Sequence, residues 1–241
     1  MKQPRRKENK SDGSLKQQSN DIKVKTLQMK LQGLSIYEAL GSICEGFFAS
    51  EIFASASASV HVIVFFVSKV YKYRRQQMQP VTANVLLPPI KCSFSIEQVI
   101  NAPIEVVWSI VRQFDNPKAY RMFIGECSST STSNAVGSFR HIAFVTDFPS
   151  TVSIERLDDL NEEKHVMVYS VVGGDHTCRL PNYQGMISVK EKCSGGQRRT
   201  IVTEKYTVYV PEDSNAEETR YLVDTLVGFN LKSLARIAEC I

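Results

Sequence analysis

The last part of the chain has an apolar pattern with helical spacing. Residues 214–241 carry aliphatic side chains separated by three, four or seven residues, and polar side chains fall between them. Ser214 and Glu217 have the S-x-x-E spacing of a helix capping box. The pattern predicts one long amphipathic helix, and its apolar face needs a sheet to cover it.

Short alternating segments precede this helix. They predict strands over residues 92–100, 137–146, 150–157, 165–172, 183–192 and 200–210. A short helix is predicted to begin at Pro103 and to run through Val111. Successive strands followed by a terminal helix predict an α+β fold, with a curved antiparallel sheet around the C-terminal helix.

Polar residues interrupt the apolar faces of these elements. Glu204 lies on the apolar face of its strand, either in a hydrated pocket or at the rim of an edge strand. Asn230 lies on the apolar stripe of the helix, either as a satisfied core amide or at a wet cavity. In segment 150–157 alternation does not say which face is inside, but three polar side chains share one face: Thr151, Ser153 and Glu155.

The first ninety residues differ in composition from residues 91–241, which we take as the folded domain. Residues 1–25 predict a disordered basic tail, and the prolines of residues 80–89 predict an extended linker. Residues 52–68 contain no Asp, Glu, Lys or Arg and are just long enough to span a bilayer. Because Ser55, Ser57, Ser59 and His61 dilute its apolar core, we favour a marginal hydrophobic appendage over a membrane span. We expect a protein of the cytoplasm and nucleus, with membrane association through residues 52–68 as the alternative.

Charge and motifs narrow the function classes. The 241 residues carry a net charge of +4, and much of the excess lies in the tail and in residues 69–75, so no nucleic-acid-binding face is predicted. The six cysteines include no C-x-x-C pair, which favours reduced thiols and gives no metal site. No glycine-rich phosphate loop or serine nucleophile elbow is present, so neither a cofactor nor a catalytic residue is predicted.

Nine short motifs occur in a fixed order along residues 92–239. They are Ala102-Pro103, Val107-Trp108-Ser109, Phe114-Asp115-Asn116-Pro117, Glu155-Arg156-Leu157, Glu163-Lys164-His165-Val166, Gly173-Gly174-Asp175-His176, Asn182-Tyr183, Val210-Pro211-Glu212 and Glu217-Glu218-Thr219-Arg220. In this order they resemble the plant abscisic acid receptors of the PYR/PYL/RCAR family. The resemblance implies a START-like helix-grip fold with a hormone-binding cavity. It also implies gate and latch loops that close over the hormone and inhibit type-2C protein phosphatases.

The resemblance also implies the site residues. The gate corresponds to Thr146, Asp147, Phe148, Pro149 and Ser150, and the latch to His176, Arg179 and Leu180. Pro149 and Asn215 are the expected phosphatase contacts. The expected ligand-binding residues are Ile142, Phe144, Ser150, Thr151, Val152, Ser153, Ile154, Glu155, Tyr169, Val171, Arg179, Leu180, Asn182, Tyr183, Gly185, Glu204, Leu222, Val227 and Asn230.

Two pocket positions depart from the family pattern. Gly125 stands where the family has a lysine that pairs with the hormone carboxylate, and Gly185 replaces a serine. A pocket with two carboxylates and no cation should repel an anion. Arg179 is the one nearby candidate to compensate, but the inserted Thr177-Cys178 leaves its direction open, and a latch arginine more often faces solvent or the partner. We therefore expect abscisic acid to bind at least about ten-fold more weakly than to a Gly125→Lys variant.

These observations predict a regulator without enzymatic activity. The expected partners are abscisic acid or a related small apolar ligand, type-2C protein phosphatases and, as an option, a second copy of the chain. Two alternatives stay open: a carrier of an apolar plant metabolite, and a synthase or cyclase of the same fold.

Overall fold

The computed structural model describes residues 89–130, 134–146, 148, 150–194 and 197–241, without the side chains of 193–197. The predictions for the tail, the hydrophobic segment and most of the linker fall on residues 1–88 and lie outside this part. Asp147 and Pro149 of the gate also lie outside it. Within the described ranges, no helix has the length and apolar character that a membrane crossing requires.

Within the described part of the chain, seven antiparallel strands form one sheet. They are β1 (Lys91–Ile100), β2 (Ile124–Ser129), β3 (Phe139–Phe144), β4 (Val152–Asn161), β5 (Val166–Gly173), β6 (Gln184–Ser194) and β7 (Gln197–Tyr209). The strand order is β1-β7-β6-β5-β4-β3-β2, so every pair except β1 and β7 is consecutive along the chain. Register shifts between β2 and β3 and between β4 and β5 interrupt the ladder, and such bulges bend a sheet.

The described residues also form two α-helices: α1 (Ile104–Val111) and α2 (Ala216–Ala238). In the same part of the chain two short 3-10 segments, Pro117–Ala119 and Asp175–Cys178, lie in the connections. Helix α2 buries Val223, Val227 and Leu234 in the same core as Val202 and Tyr206 of β7. The prediction of an α+β helix-grip fold is confirmed.

The N-terminus of α2 differs by one residue from the predicted capping box. Asn215 is the N-cap, and its side-chain oxygen accepts a hydrogen bond from the Glu218 N–H at 2.9 Å. Asn215 has the extended backbone, φ −131° and ψ 171°, that an N-cap requires. The hydroxyl of Ser214 instead lies 3.3 Å from that of Thr219, so the prediction of Ser214 as the cap is wrong.

The alternation pattern does not predict strand β2. Its sequence, IGECSS, has one fully buried residue, Ile124, and the remaining side chains are only partly covered or exposed. Strand β2 lies at the edge of the sheet and pairs only with β3 in the described part of the chain. Its position depends on that pairing, which a local apolar pattern does not encode.

Candidate functional site

A cavity lies between α2 and the sheet. Its apolar wall consists of Phe123, Ile124, Ile142, Phe144, Phe148, Val171, Leu180, Val223, Leu226 and Val227. Its polar groups come from Arg121, Glu155, Tyr169, His176, Tyr183, Glu204 and Asn230. A volume of about 70 Å³ is accessible to the centres of water molecules. About 10–15 Å³ suffices for one water, so this volume holds a few waters and is smaller than the space that an organic ligand usually occupies.

Glu204 lies inside the cavity, and two phenols donate to its carboxylate. Its exposed fraction is 2%, and its Oε1 accepts from the Tyr169 hydroxyl at 2.7 Å and the Tyr183 hydroxyl at 3.3 Å. Burial raises the pKa of both phenols well above its usual value, and the Glu204 charge adds to the effect. Both tyrosines therefore remain neutral donors, and the inward interpretation of Glu204 is the correct one.

A second buried carboxylate, Glu155, is held by Arg140. Arg140 Nε donates to Glu155 Oε2 at 2.9 Å, Nη2 donates to the same oxygen, and Nη1 donates to the Phe114 carbonyl at 2.8 Å. Burial pushes the pKa of Glu155 upward, but the charges of Arg140 and Arg121 outweigh it and hold this pKa below its usual value. Glu155 is thus an ionised carboxylate. Ser153 is buried on the same strand and Val152 is 39% exposed, which decides the face that alternation left open.

Arg121 brings a cation into the cavity. Its guanidinium lies over the Tyr169 ring, with Cζ 4.5 Å from the ring centroid, and Nη1 is 3.6 Å from Glu155 Oε2. The side chain is 9% exposed. This finding corrects the expectation that a pocket with glycine at position 125 has no cation unless Arg179 provides one, since Arg179 is not part of the cavity wall.

The segment that carries Arg121 is tied to its surroundings by backbone hydrogen bonds. The Arg121 N–H donates to the Pro117 carbonyl at 2.9 Å, and the Met122 N–H donates to Asn230 Oδ1 at 3.2 Å. Asn230 therefore satisfies both interpretations of its position, because its amide is hydrogen-bonded and also lines the cavity.

The two glycines that depart from the family pattern have different surroundings. Gly125 lies in β2 outside the cavity wall, and an added Cβ would be 3.4 Å from the Ala143 and Phe144 carbonyl oxygens, an ordinary contact. At Gly185 a Cβ would lie 2.6 to 2.7 Å from the Tyr169 ring and hydroxyl. Because Gly185 has no side chain, the Tyr169 phenol can occupy this space and donate its hydroxyl to Glu204.

The β3–β4 and β5–β6 connections meet at the cavity. Phe148 stacks on Phe144 with ring centroids 4.4 Å apart and lies 5.4 Å from the Phe123 ring. His176 Nδ1 is 3.0 Å from the Ser150 hydroxyl. Burial lowers the pKa of His176, with only partial opposition from neighbouring carboxylates, so this contact is made by a neutral imidazole.

The expected ligand residues divide into two groups. Ten of them line the cavity: Ile142, Phe144, Glu155, Tyr169, Val171, Leu180, Tyr183, Glu204, Val227 and Asn230. The others lie outside its wall: Ser150, Thr151, Val152, Ser153, Ile154, Arg179, Asn182, Gly185 and Leu222. Five lining residues had not been predicted for the site: Arg121, Phe123, Ile124, Val223 and Leu226. For Arg121 one sequence signal exists, an isolated charge within the otherwise uncharged run AYRMFI.

A curved antiparallel sheet around a long helix, with a polar-lined cavity between them, defines a protein of the helix-grip class. The family described as polyketide cyclase / dehydrase and lipid transport matches residues 91–239. The chain is 41% identical over 154 residues to abscisic acid receptor PYL6 of Arabidopsis thaliana, covering 63% of this chain and 71% of that protein. It is 40% identical over 148 residues to abscisic acid receptor PYL2 of the same plant, covering 61% and 77%.

The chain belongs to the PYR/PYL/RCAR family of abscisic acid receptors, within the START-like helix-grip superfamily. Among solved structures, the protein XoxI from Bacillus cereus aligns with a TM-score of 0.51 and 24% identity over 61% of this chain and 95% of that one. That likeness supports the fold alone.

Proposed function

We propose that this protein is an abscisic acid receptor-like regulator that binds and inhibits type-2C protein phosphatases, with a weakened response to its ligand. The ligand is abscisic acid or a related small, mostly apolar molecule. One observation carries the proposal: an apolar cavity contains convergent polar groups and is bounded by two loops in mutual contact, at Phe148 and at the His176–Ser150 pair. The relatives named abscisic acid receptors support the ligand. Membership of the receptor family supports the phosphatase as partner.

The loop contacts suggest how a ligand would change the surface. Phe148 packs against the cavity wall through Phe144 and Phe123, so a ligand larger than a few waters has to move it. A new position of Phe148 would shift the neighbouring Pro149, which we propose as a phosphatase contact together with Asn215. The ligand would then act through the loop conformation that it stabilises.

We further propose that the hormone response is weaker than in receptors with a pocket lysine. Gly125 provides no charge. Arg121 lies close enough to Glu155 for that carboxylate to offset part of its positive charge. The Phe144–Phe148 stack has to be broken before a ligand enters. Phosphatase inhibition should consequently depend little on hormone. We place the protein in the cytoplasm and nucleus.

A phosphatase assay tests this function. The full-length protein is mixed with purified type-2C phosphatases, with and without abscisic acid, and both capture and phosphatase activity are measured. We expect capture with inhibition that changes little when hormone is added. Absence of binding to every type-2C phosphatase under both conditions would leave a ligand carrier as the better description.

One observation favours a second function. The family description includes cyclases and dehydrases, and the Glu204–Tyr169–Tyr183 cluster has the group types used in acid–base catalysis. Turnover of candidate polyketide substrates by the purified protein, lost in Glu204→Gln, would establish an enzyme. We expect no turnover, because both phenols have raised pKa values and are poor proton donors at neutral pH.

A further inference from the structure

Arg121, which lines the cavity, has an unused hydrogen-bond donor. Its Nη2 atom is buried and has no acceptor among the described residues, although the residue as a whole is 8% exposed. A buried donor without a partner is costly, and a guanidinium offers five N–H groups in a planar fork. An acceptor brought in by a ligand would remove this cost.

The neighbouring carboxylates are already engaged by other residues. Oε2 of Glu155 accepts two bonds from Arg140, whereas Arg121 Nη1 remains 3.6 Å from that oxygen, beyond hydrogen-bond length. Oε1 of Glu204 accepts the hydroxyls of Tyr169 and Tyr183. The Arg121 guanidinium is therefore the cation of the described cavity wall that remains available to a new acceptor.

The direction of this guanidinium is fixed before any ligand binds. One face lies on the Tyr169 ring, and the backbone on either side is held by the Pro117 carbonyl and by Asn230. A donor held in place loses little conformational entropy when it binds an acceptor. The charges of Arg121 and Arg140 balance those of Glu155 and Glu204, so the net charge of the site does not favour an anionic ligand. A preference for an acid therefore has to come from a direct hydrogen bond with Arg121.

We propose that Arg121 anchors an acidic group of the ligand, so that the cavity prefers a small apolar carboxylic acid to its uncharged ester. Arg121 would thus provide the cation that Gly125 does not. The inference rests on the proposed function for the size and apolarity of the ligand, but it does not require a phosphatase.

Calorimetry with abscisic acid and its methyl ester tests the anchor in the full-length protein. The wild type should bind the acid about ten- to 150-fold more tightly than the ester, as expected for one charged hydrogen bond. Arg121→Met should bring this acid-to-ester ratio close to one, mainly through weaker binding of the acid. Arg121→Lys keeps the charge and should restore part of the preference.

Controls separate an anchor from a structural support. Arg156→Met removes an exposed arginine of β4, whose side chain is 45% exposed, and should leave the ratio unchanged. The inference is overturned if the wild type does not bind the acid, if Arg121→Met keeps the ratio, or if it weakens acid and ester equally. It is also overturned if the preference for the acid is lost in Arg179→Met but kept in Arg121→Met.

The phosphatase assay is read separately. An acid preference that depends on Arg121, without any phosphatase binding, would support the anchor and refute the proposed function. Phosphatase inhibition together with an acid-to-ester ratio that does not depend on Arg121 would refute the anchor and support the proposed function.

Discussion

Replacing Arg140 with methionine tests whether the ion pair beneath the cavity holds the domain together. Arg140 is 1% exposed, gives two hydrogen bonds to Glu155 and one to the Phe114 carbonyl, and lies over the Phe114 ring at 4.2 Å. Methionine keeps much of the apolar volume but leaves Glu155 with Arg121 alone. Breaking a buried pair in this way costs about 3–5 kcal/mol of unfolding free energy. For a domain of this size the midpoint of thermal unfolding should fall by about 6–20 °C.

Tryptophan fluorescence measures the effect on this domain alone. Trp108 is the single tryptophan of the 241 residues and is 5% exposed in α1. Urea titrations of the full-length protein at pH 7 would give the free energy of unfolding, and thermal melts would give the midpoint temperature. Arg156→Met is the matched control, because its exposed pair with Asp158 should contribute no more than about 1 kcal/mol.

The pH dependence provides an independent check. The folded-state pKa of Glu155 is lowered by the two arginines, so its contribution to stability is fully present above the unfolded pKa, about 4.3. That contribution is lost as the pH falls from there through the lower, folded pKa. Glu155→Gln should therefore be less stable than the wild type at pH 7, and the difference should shrink toward pH 3.

A double mutant identifies the result that would refute this reasoning. In Arg140→Met/Glu155→Gln the carboxylate is removed together with its hydrogen-bonding partner, and only the more distant Arg121 loses a charge neighbour. The loss should therefore be smaller than the sum of the single losses by at least about 1 kcal/mol. Additive losses would show that the two side chains act independently. A loss below about 1 kcal/mol in Arg140→Met would mean that solvent or Arg121 compensates for the missing partner.

Further changes test the loops, the helix and the N-terminal region. Phe148→Ala should tighten abscisic acid binding about two- to tenfold by calorimetry, because the ligand no longer breaks an aromatic stack; weaker binding would mean that Phe148 contacts the ligand. Pro149→Ser should weaken phosphatase inhibition roughly tenfold without changing the melting temperature. Asn215→Ala should remove about 1 kcal/mol of stability in urea titrations through the lost bond to the Glu218 N–H. After carbonate extraction the full-length protein should remain in the supernatant, and recovery only with detergent would make residues 52–68 a membrane anchor.

Local patterns in the sequence predicted much of the fold. The apolar spacing of α2 and the alternation along β7 depend on the period of each element, and a period can be recognised without knowing the neighbours. The same periods placed Glu204 and Asn230 on apolar faces, which marked them as candidates for a cavity. The order of the motifs then identified the family.

The tertiary structure decided which side chains meet in the cavity. Comparison with the family at Gly125 indicated a missing cation, yet Arg121, four positions earlier, lies over Tyr169 and beside Glu155. Neither contact follows from spacing, because residues 34 or more positions apart are brought together only by the sheet register. The sequence by itself therefore determined the elements and the polar residues at their apolar faces. Long-range packing determined which of those residues pair and which donor, Nη2 of Arg121, remains available for a ligand.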